Sequence, residues 1–213
     1  MFQAALFDLD GTLFKTEHQY SIFWGMIGKK YHPDLPDFPN VIKGMTLNVI
    51  YDMFFQDYKE QLLITQKLDE WEKNMDYEYV EGAYDFIRDI KSYGVKCAIV
   101  TSSNSKKILA LKQKVKDVDE LFDNVFTSEM FLRSKPFPDP YLTAAKHLNV
   151  STGQCVVFED AYNGLKSAKN ANMFTIGLTT TFEYNLIKDL CDYSIDNYIG
   201  LNYHVIEKLL INH

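Results

Sequence analysis

The sequence predicts an α/β protein: a doubly wound, Rossmann-like, mainly parallel sheet with a small all-helical domain inserted after the first strand. Three observations carry that expectation. Short continuous apolar runs recur along the chain, the pattern of strands covered on both faces. Helical patterns lie between them, and strand–helix–strand alternation winds right-handed crossovers into a parallel sheet. Residues 15–79 break the alternation with helical periodicity alone.

Each element has a local reason. The first strand is Ala4–Phe7. In the insert, "TEHQYSIFWGMIGKKY" reads as an amphipathic helix and "HPDLPDFP" as a proline-rich bend. "TLNVIYDMFFQDY" and "EQLLITQKLDEWEKN" supply two more helices. "GAYDFIRDIKSYG" places Phe86, Ile90 and Tyr93 on one face and stops at Gly94, a glycine C-cap. "KCAIV" is the next strand, ending at Val100, and "SKKILALKQKV" the helix after it. Asn124–Phe126 is a short strand, and "DPYLTAAKHLNV" opens a helix with proline in its first turn. "QCVVFE", ending at Glu159, then "AYNGLKSAKNANM" and Met173–Leu178 complete the alternation. The expected domains are a core of residues 1–14 and 80–213 and an insert of residues 15–79.

Composition narrows the function. With 213 residues, 46% of them hydrophobic, the chain can bury a sizeable core. A net charge of −7 disfavours nucleic acid and anionic membrane surfaces as partners. No uncharged run is long enough to span a bilayer, and the first residues lack the positive start of a signal peptide. Cys97 and Cys155 lie inside apolar runs, as reduced core residues do, so a reducing cytoplasm is expected.

Ligands of an open parallel sheet bind beyond the carboxyl ends of its strands. Here those ends carry Asp8-Leu9-Asp10-Gly11-Thr12, then Thr101-Ser102-Ser103-Asn104, then Lys135 between Ser134 and Pro136, then Glu159-Asp160. Singly, each has an ordinary explanation: a turn aspartate, a helix-cap cluster, a solvated loop lysine, a strand end followed by a cap. Together, carboxylates, hydroxyls and one lysine on a single sheet edge describe a metal-assisted phosphoryl site.

These four segments resemble the haloacid dehalogenase-like phosphohydrolases: the DxDGT start, the Ser/Thr after the second core strand, the lysine in a KPxPDPY setting, and the acidic pair. The helical insert sits where that family carries a cap. The nearest branch is that of β-phosphoglucomutase and small sugar-phosphate phosphatases. The resemblance implies that Asp8 attacks phosphorus while Asp10 protonates the leaving oxygen and later activates water. It implies Mg²⁺ held by Asp8, the Asp10 backbone carbonyl and Asp160, with Glu159 beside them. Lys135 and Thr101, with the N–H groups of Ser102 and Ser103, would hold the phosphoryl group. Gly44 and Thr46, in a cap turn, would touch the leaving group. A small phosphorylated metabolite is the expected partner, bound by a monomer or weak homodimer.

Several readings compete. Asp10 argues against a dehalogenase, which has no use for a second acid. A mutase of that branch has an acid where this chain has Lys15, a histidine where it has Tyr20, and an arginine where it has Leu47. Lys43 or Lys15 could replace the missing charge, so a mutase stands as the alternative. A phosphoacceptor receiver would carry its acidic pair first and its phosphorylated aspartate later. An idle binding protein would be expected to lack Asp8, Asp10 or Lys135. Phe23, Trp24, Phe54 and Phe55 read as insert core, "GLKSAKNAN" as helix–sheet packing, and the five histidines as structural or solvated.

Overall fold

The computed structural model describes residues 1–43 and 45–212. Six strands form one sheet: β1 (Ala4–Phe7), β2 (Lys96–Val100), β3 (Asn124–Phe126), β4 (Cys155–Glu159), β5 (Phe174–Leu178) and β6 (Tyr193–Ile195). Their order is β3-β2-β1-β4-β5-β6, and every neighbouring pair is parallel. β1 is the hub. Phe7 lies opposite Ile99 of β2 on one side and Phe158 of β4 on the other. The expected strands are present; β6 is an addition, its half-exposed "YSI" too short and too polar to stand out.

Side chains of β1 alternate between two cores. Ala5 and Phe7 face a cluster built with the helices α5 (Ala83–Ser92), α6 (Ser105–Lys114) and α11 (Tyr203–Ile211). Ala4 and Leu6 face a second cluster, completed by α8 (Asp139–Leu148) and α9 (Tyr162–Asn170). Burial on both faces is why these strands read as uninterrupted apolar runs. Tyr93 departs from the expected stripe with Phe86 and Ile90: it follows α5, half exposed, and stacks on Tyr203 with ring centroids 4.3 Å apart. Two short helices, α7 (Val118–Leu121) and α10 (Tyr184–Ile187), fill the remaining connections.

Between β1 and α5 run α1 (Glu17–Tyr31), α2 (Phe38–Ile42), α3 (Leu47–Phe54) and α4 (Tyr58–Asn74). Phe23, Trp24, Phe38, Phe55 and Ile64 gather there into a cluster separate from those of the sheet. The proline-rich bend ends sooner than expected, because Pro39 lies in the first turn of α2, where its missing N–H costs nothing. A side chain at Gly28 would come within 2.5 Å of Phe38, so α1 and α2 touch only because that residue is glycine. Both ends of the segment meet at one joint. The Lys15 N–H donates to the Glu78 carbonyl at 2.9 Å and the Val80 N–H to the Leu13 carbonyl at 2.8 Å.

The cysteines Cys97, Cys155 and Cys191 are buried free thiols. Burial pushes the Cys155 thiol up to about 11, so it stays protonated near neutral pH. No helix among the described residues is long and apolar enough to cross a membrane.

Phe86 links the sheet to α5 through edge contacts with Phe7 and Phe158 and a stacked contact with Tyr198. Phe86→Ala should destabilise the fold by about 3–5 kcal/mol, read as a lower midpoint in urea with an unchanged slope.

Candidate active site

Strand order reverses between β1 and β4, and the crevice beyond their carboxyl ends holds the predicted residues. Asp8 follows β1 directly, anchored by its N–H to the Phe158 carbonyl at 3.0 Å. Asp160 follows β4. Because Phe7 pairs with Phe158, Asp8 comes level with Glu159 at the end of β4, and Asp160 follows one residue further on.

Lys135 is buried at the centre. Its Nζ donates to Asp8 Oδ1 and Glu159 Oε1, each at 2.6 Å, and to the Val100 carbonyl at 2.9 Å. One ammonium thus ties the ends of β1, β2 and β4 together. Burial would favour its neutral form, but the two carboxylates override that and hold it protonated well above the ordinary lysine range. Glu159 is fully engaged: Oε1 also accepts from the Tyr141 hydroxyl at 2.8 Å, and Oε2 accepts the N–H groups of Asp160 and Ala161 at 3.1 and 3.2 Å. Gly164, read from sequence as mere packing, is what lets this carboxylate fit: a Cβ there would lie 1.7 Å from Glu159 Oε1.

Asp8 and Asp160 carry the opposite strain. Burial pushes the Asp8 carboxyl up to about 7, with Lys135 pulling it down and Glu159 pushing it further up. Burial, then the charges of Glu159 and Asp8, raise Asp160 well above the carboxylate range. Asp160 is steadied by hydroxyls, accepting from Thr12 at 2.7 Å and from Thr181. Oxygens of Asp8, Glu159 and Asp160 lie within 4.8 Å of one another. Such a buried, all-oxygen, electron-rich set fits a hard divalent cation such as Mg²⁺. The carboxylate of Asp10, expected to contribute only its backbone carbonyl, is not in this set.

Asp10 has other partners. Thr16 donates to its Oδ1 at 2.7 Å, Ser103 donates to its Oδ2 at 3.2 Å, and the Lys107 ammonium pairs with that same Oδ2. The turn that separates the two aspartates from the insert needs Gly11, which has φ +78° and would put a Cβ 2.1 Å from Asp160 Oδ2.

Thr101 and Ser102–Ser103 line the same cavity, just ahead of the next helix. α6 begins at Ser105, as the sequence predicts, capped by the Asn104 side chain, which accepts from the Lys107 N–H at 2.9 Å. The Ser103 N–H is turned onto Thr101 Oγ1 at 3.0 Å. The cavity measures about 400 Å³, with Asp8 and Asp160 on its core side and Tyr20, Lys43, Thr46 and Leu47 on its insert side. Thr46 is also the N-cap of α3, accepting from the Val49 N–H at 3.5 Å. Gly44 lies outside the described residues. Lys15 turns away from this cavity to pair with Glu78 at 2.8 Å and with Glu81.

Four contributors went unread in sequence. Tyr141 and Thr12 sat inside quoted motifs without a role. Thr181 belongs to a hydroxyl run after β5, a strand end of the same kind as the others. Lys107 is one of two adjacent lysines, and only the helix register tells the buried one from the exposed Lys106.

Residues 5–178 match the family model of haloacid dehalogenase-like hydrolases. The chain belongs to that family. Within it, this haloacid dehalogenase-like chain lies in the branch of β-phosphoglucomutase-like phosphatases, and it is an enzyme of their phosphatase kind. It is similar to validoxylamine A 7'-phosphate phosphatase of Streptomyces hygroscopicus subsp. limoneus, 28% identical over 210 residues that cover 90% of this chain and 96% of that protein. It is 31% identical over 159 residues to SUPPRESSOR OF QUENCHING 1, chloroplastic, of Arabidopsis thaliana, a match covering 75% of this chain but 14% of that protein. In fold it resembles the crystal structure of an HAD hydrolase, family IA, variant 3, from Entamoeba histolytica. The TM-score is 0.86 at 24% identity, covering 99% of this chain and 100% of that one.

Two tests follow from the buried charges. The folded chain keeps the Asp8 proton up to about pH 7, whereas the unfolded chain loses it near 3.8. Between those values the folded state binds more protons, so rising pH lowers stability. In chelator, Asp8→Asn should therefore melt above the wild type at pH 8, with the gap closing toward pH 4. Gly164→Ala should cost about 1–3 kcal/mol by forcing Glu159 aside, and should lower turnover beyond what the shifted melting temperature explains.

Proposed function

We propose that this phosphatase hydrolyses the phosphate monoester of a small metabolite, a sugar phosphate in the leading case, through an aspartyl-phosphate on Asp8. The observation that carries the proposal is the unlike treatment of two aspartates one residue apart. Asp8 faces the cavity with a lysine and two further carboxylates, while Asp10 is held by two hydroxyls and a second lysine. Unlike surroundings suit unlike roles.

In this reading a carboxylate oxygen of Asp8 bonds to phosphorus as the ester P–O bond breaks. Asp10 gives its proton to the departing oxygen, then takes one from the water that attacks phosphorus. The Asp8–phosphorus bond breaks in that second step and phosphate leaves. Lys135 orients Asp8 and offsets the repulsion between its carboxylate and an anionic ester. Thr101, Ser102 and Ser103 flank the position of the phosphoryl group. Asp8, Asp160 and the Asp10 backbone carbonyl would hold Mg²⁺, with Glu159 orienting them. When bound, that cation supplies charge neutralisation at the phosphoryl oxygens.

Residues 15–79 act as a cap on a core of residues 1–14 and 80–213, closing over the substrate and excluding bulk water. The hinges are Leu13–Lys15 and residues 76–82. Thr46 touches the leaving group in the closed form. The mutase reading rests on Lys43, a cation on the insert side of the cavity within reach of a second phosphate. Against it, Leu47 presents a hydrocarbon to that cavity and Lys15 is spent on Glu78 and Glu81.

A panel of phosphorylated metabolites with Mg²⁺, scored for free phosphate and for isomerised product, separates the two. Phosphate release that Asp8→Asn abolishes without unfolding supports hydrolysis; isomerisation of β-glucose 1-phosphate with little release supports the mutase. On the substrate so found, Thr46→Val should lower kcat/KM by about tenfold, the order of one hydrogen bond in a closed site, and an unchanged value would remove Thr46 from the pocket.

A further inference from the structure

Lys107 is a buried cation whose contacts reach beyond Asp10. It projects from α6 of the core with a fully buried side chain and makes three polar contacts: Asp10, the Ser103 hydroxyl at 3.1 Å, and the hydroxyl of Tyr20 on α1. Tyr20 in turn donates to Glu72 on α4 at 2.8 Å. A continuous line of charge-assisted hydrogen bonds therefore joins two helices of the insert to the carboxylate proposed as acid and base. A buried ammonium is tolerated only while its partners stay in place. Swinging α1 and α4 away would strip Tyr20 from Lys107 and open Lys107 to water.

We propose that Lys107 is a positioning residue that couples the placement of the insert to Asp10. With the insert seated, Tyr20 and Glu72 fix the ammonium, and the ammonium fixes the Asp10 carboxylate and stabilises its charge as the proton leaves for the ester oxygen. With the insert displaced, Asp10 loses that support. Asp10 is then competent for proton transfer, to the departing oxygen and later from water, only when the site is covered. Exposed Lys106, next along α6, pairs with Asp69 of α4 at 3.0 Å, but a solvated pair of that kind contributes little.

This coupling rests on the phosphatase reading, and the test separates the two. kcat/KM is measured for an alkyl phosphate, whose leaving oxygen needs a proton, and for p-nitrophenyl phosphate, whose leaving group does not. Lys107→Met should lower kcat/KM about a hundredfold on the alkyl ester, the scale of lost general acid catalysis, and by no more than a few-fold on the aryl ester. Tyr20→Phe, which keeps the ring and the fold, should cost about tenfold on the alkyl ester alone. In both variants, amides of residues 17–31 and 58–74 should exchange hydrogen faster than in the wild type. Equal losses on both esters, or no loss, would overturn the proposal, as would unchanged exchange. If the wild type released no phosphate from either ester, the phosphatase reading would fail, while the exchange measurement would still decide whether Lys107 and Tyr20 hold the insert down.

Discussion

The Nζ of Lys135 donates to Asp8, Glu159 and the end of β2 at once, and the rest of the site is arranged around that ammonium. Desolvating a cation is expensive unless its partners are close and themselves satisfied. The neighbours meet that condition: Tyr141 and two backbone N–H groups complete Glu159, Gly164 makes room for it, and the paired strands deliver Asp8 and Glu159 to the same level. Three carboxyl groups face one ammonium, and a divalent cation would favour the ionised forms that burial disfavours. The fit to a metal rests on the set of three carboxyl groups rather than on any one of them.

A second lysine serves the second aspartate, and the two pairs do not share partners. Lys135 belongs to the sheet ends and is held within the core. Lys107 faces outward from α6 toward the insert. This division ties Asp8 to the sheet ends, while Asp10 is linked through Lys107 to helices of the insert. Two aspartates with only Leu9 between them thus report to different parts of the molecule.

Much of this was legible in sequence, and the limits have physical causes. β1, β2, β4 and β5 are buried on both faces, so each shows as an apolar run, and the residues at their ends had only one edge to occupy. β6, α10 and α11 lie toward the margin of the fold, where half-exposed residues dilute the pattern. Asp8, Lys135, Glu159 and Asp160 were readable because strand ends converge whatever the loops do. Lys107 and Thr181 were not, because their roles depend on which way a helix turns and how a loop returns. The start of α6 at Ser105 was legible, although Ser102, Ser103 and Asn104 are all competent caps, and it is Asn104 that caps the helix.

The joint between insert and core has an evolutionary consequence. Leu13–Lys15 and Glu78–Val80 are hydrogen-bonded neighbours, so the insert leaves and returns at a single point. The sheet registers where those ends are, and not how much chain lies between them. Loop-closure entropy grows only slowly with length once the ends are pinned. The insert can be lengthened, shortened or recast with little penalty to the sheet, provided the crossing at Phe14 and Tyr79 survives. The insert half of the cavity can therefore drift while the half built on the sheet stays put.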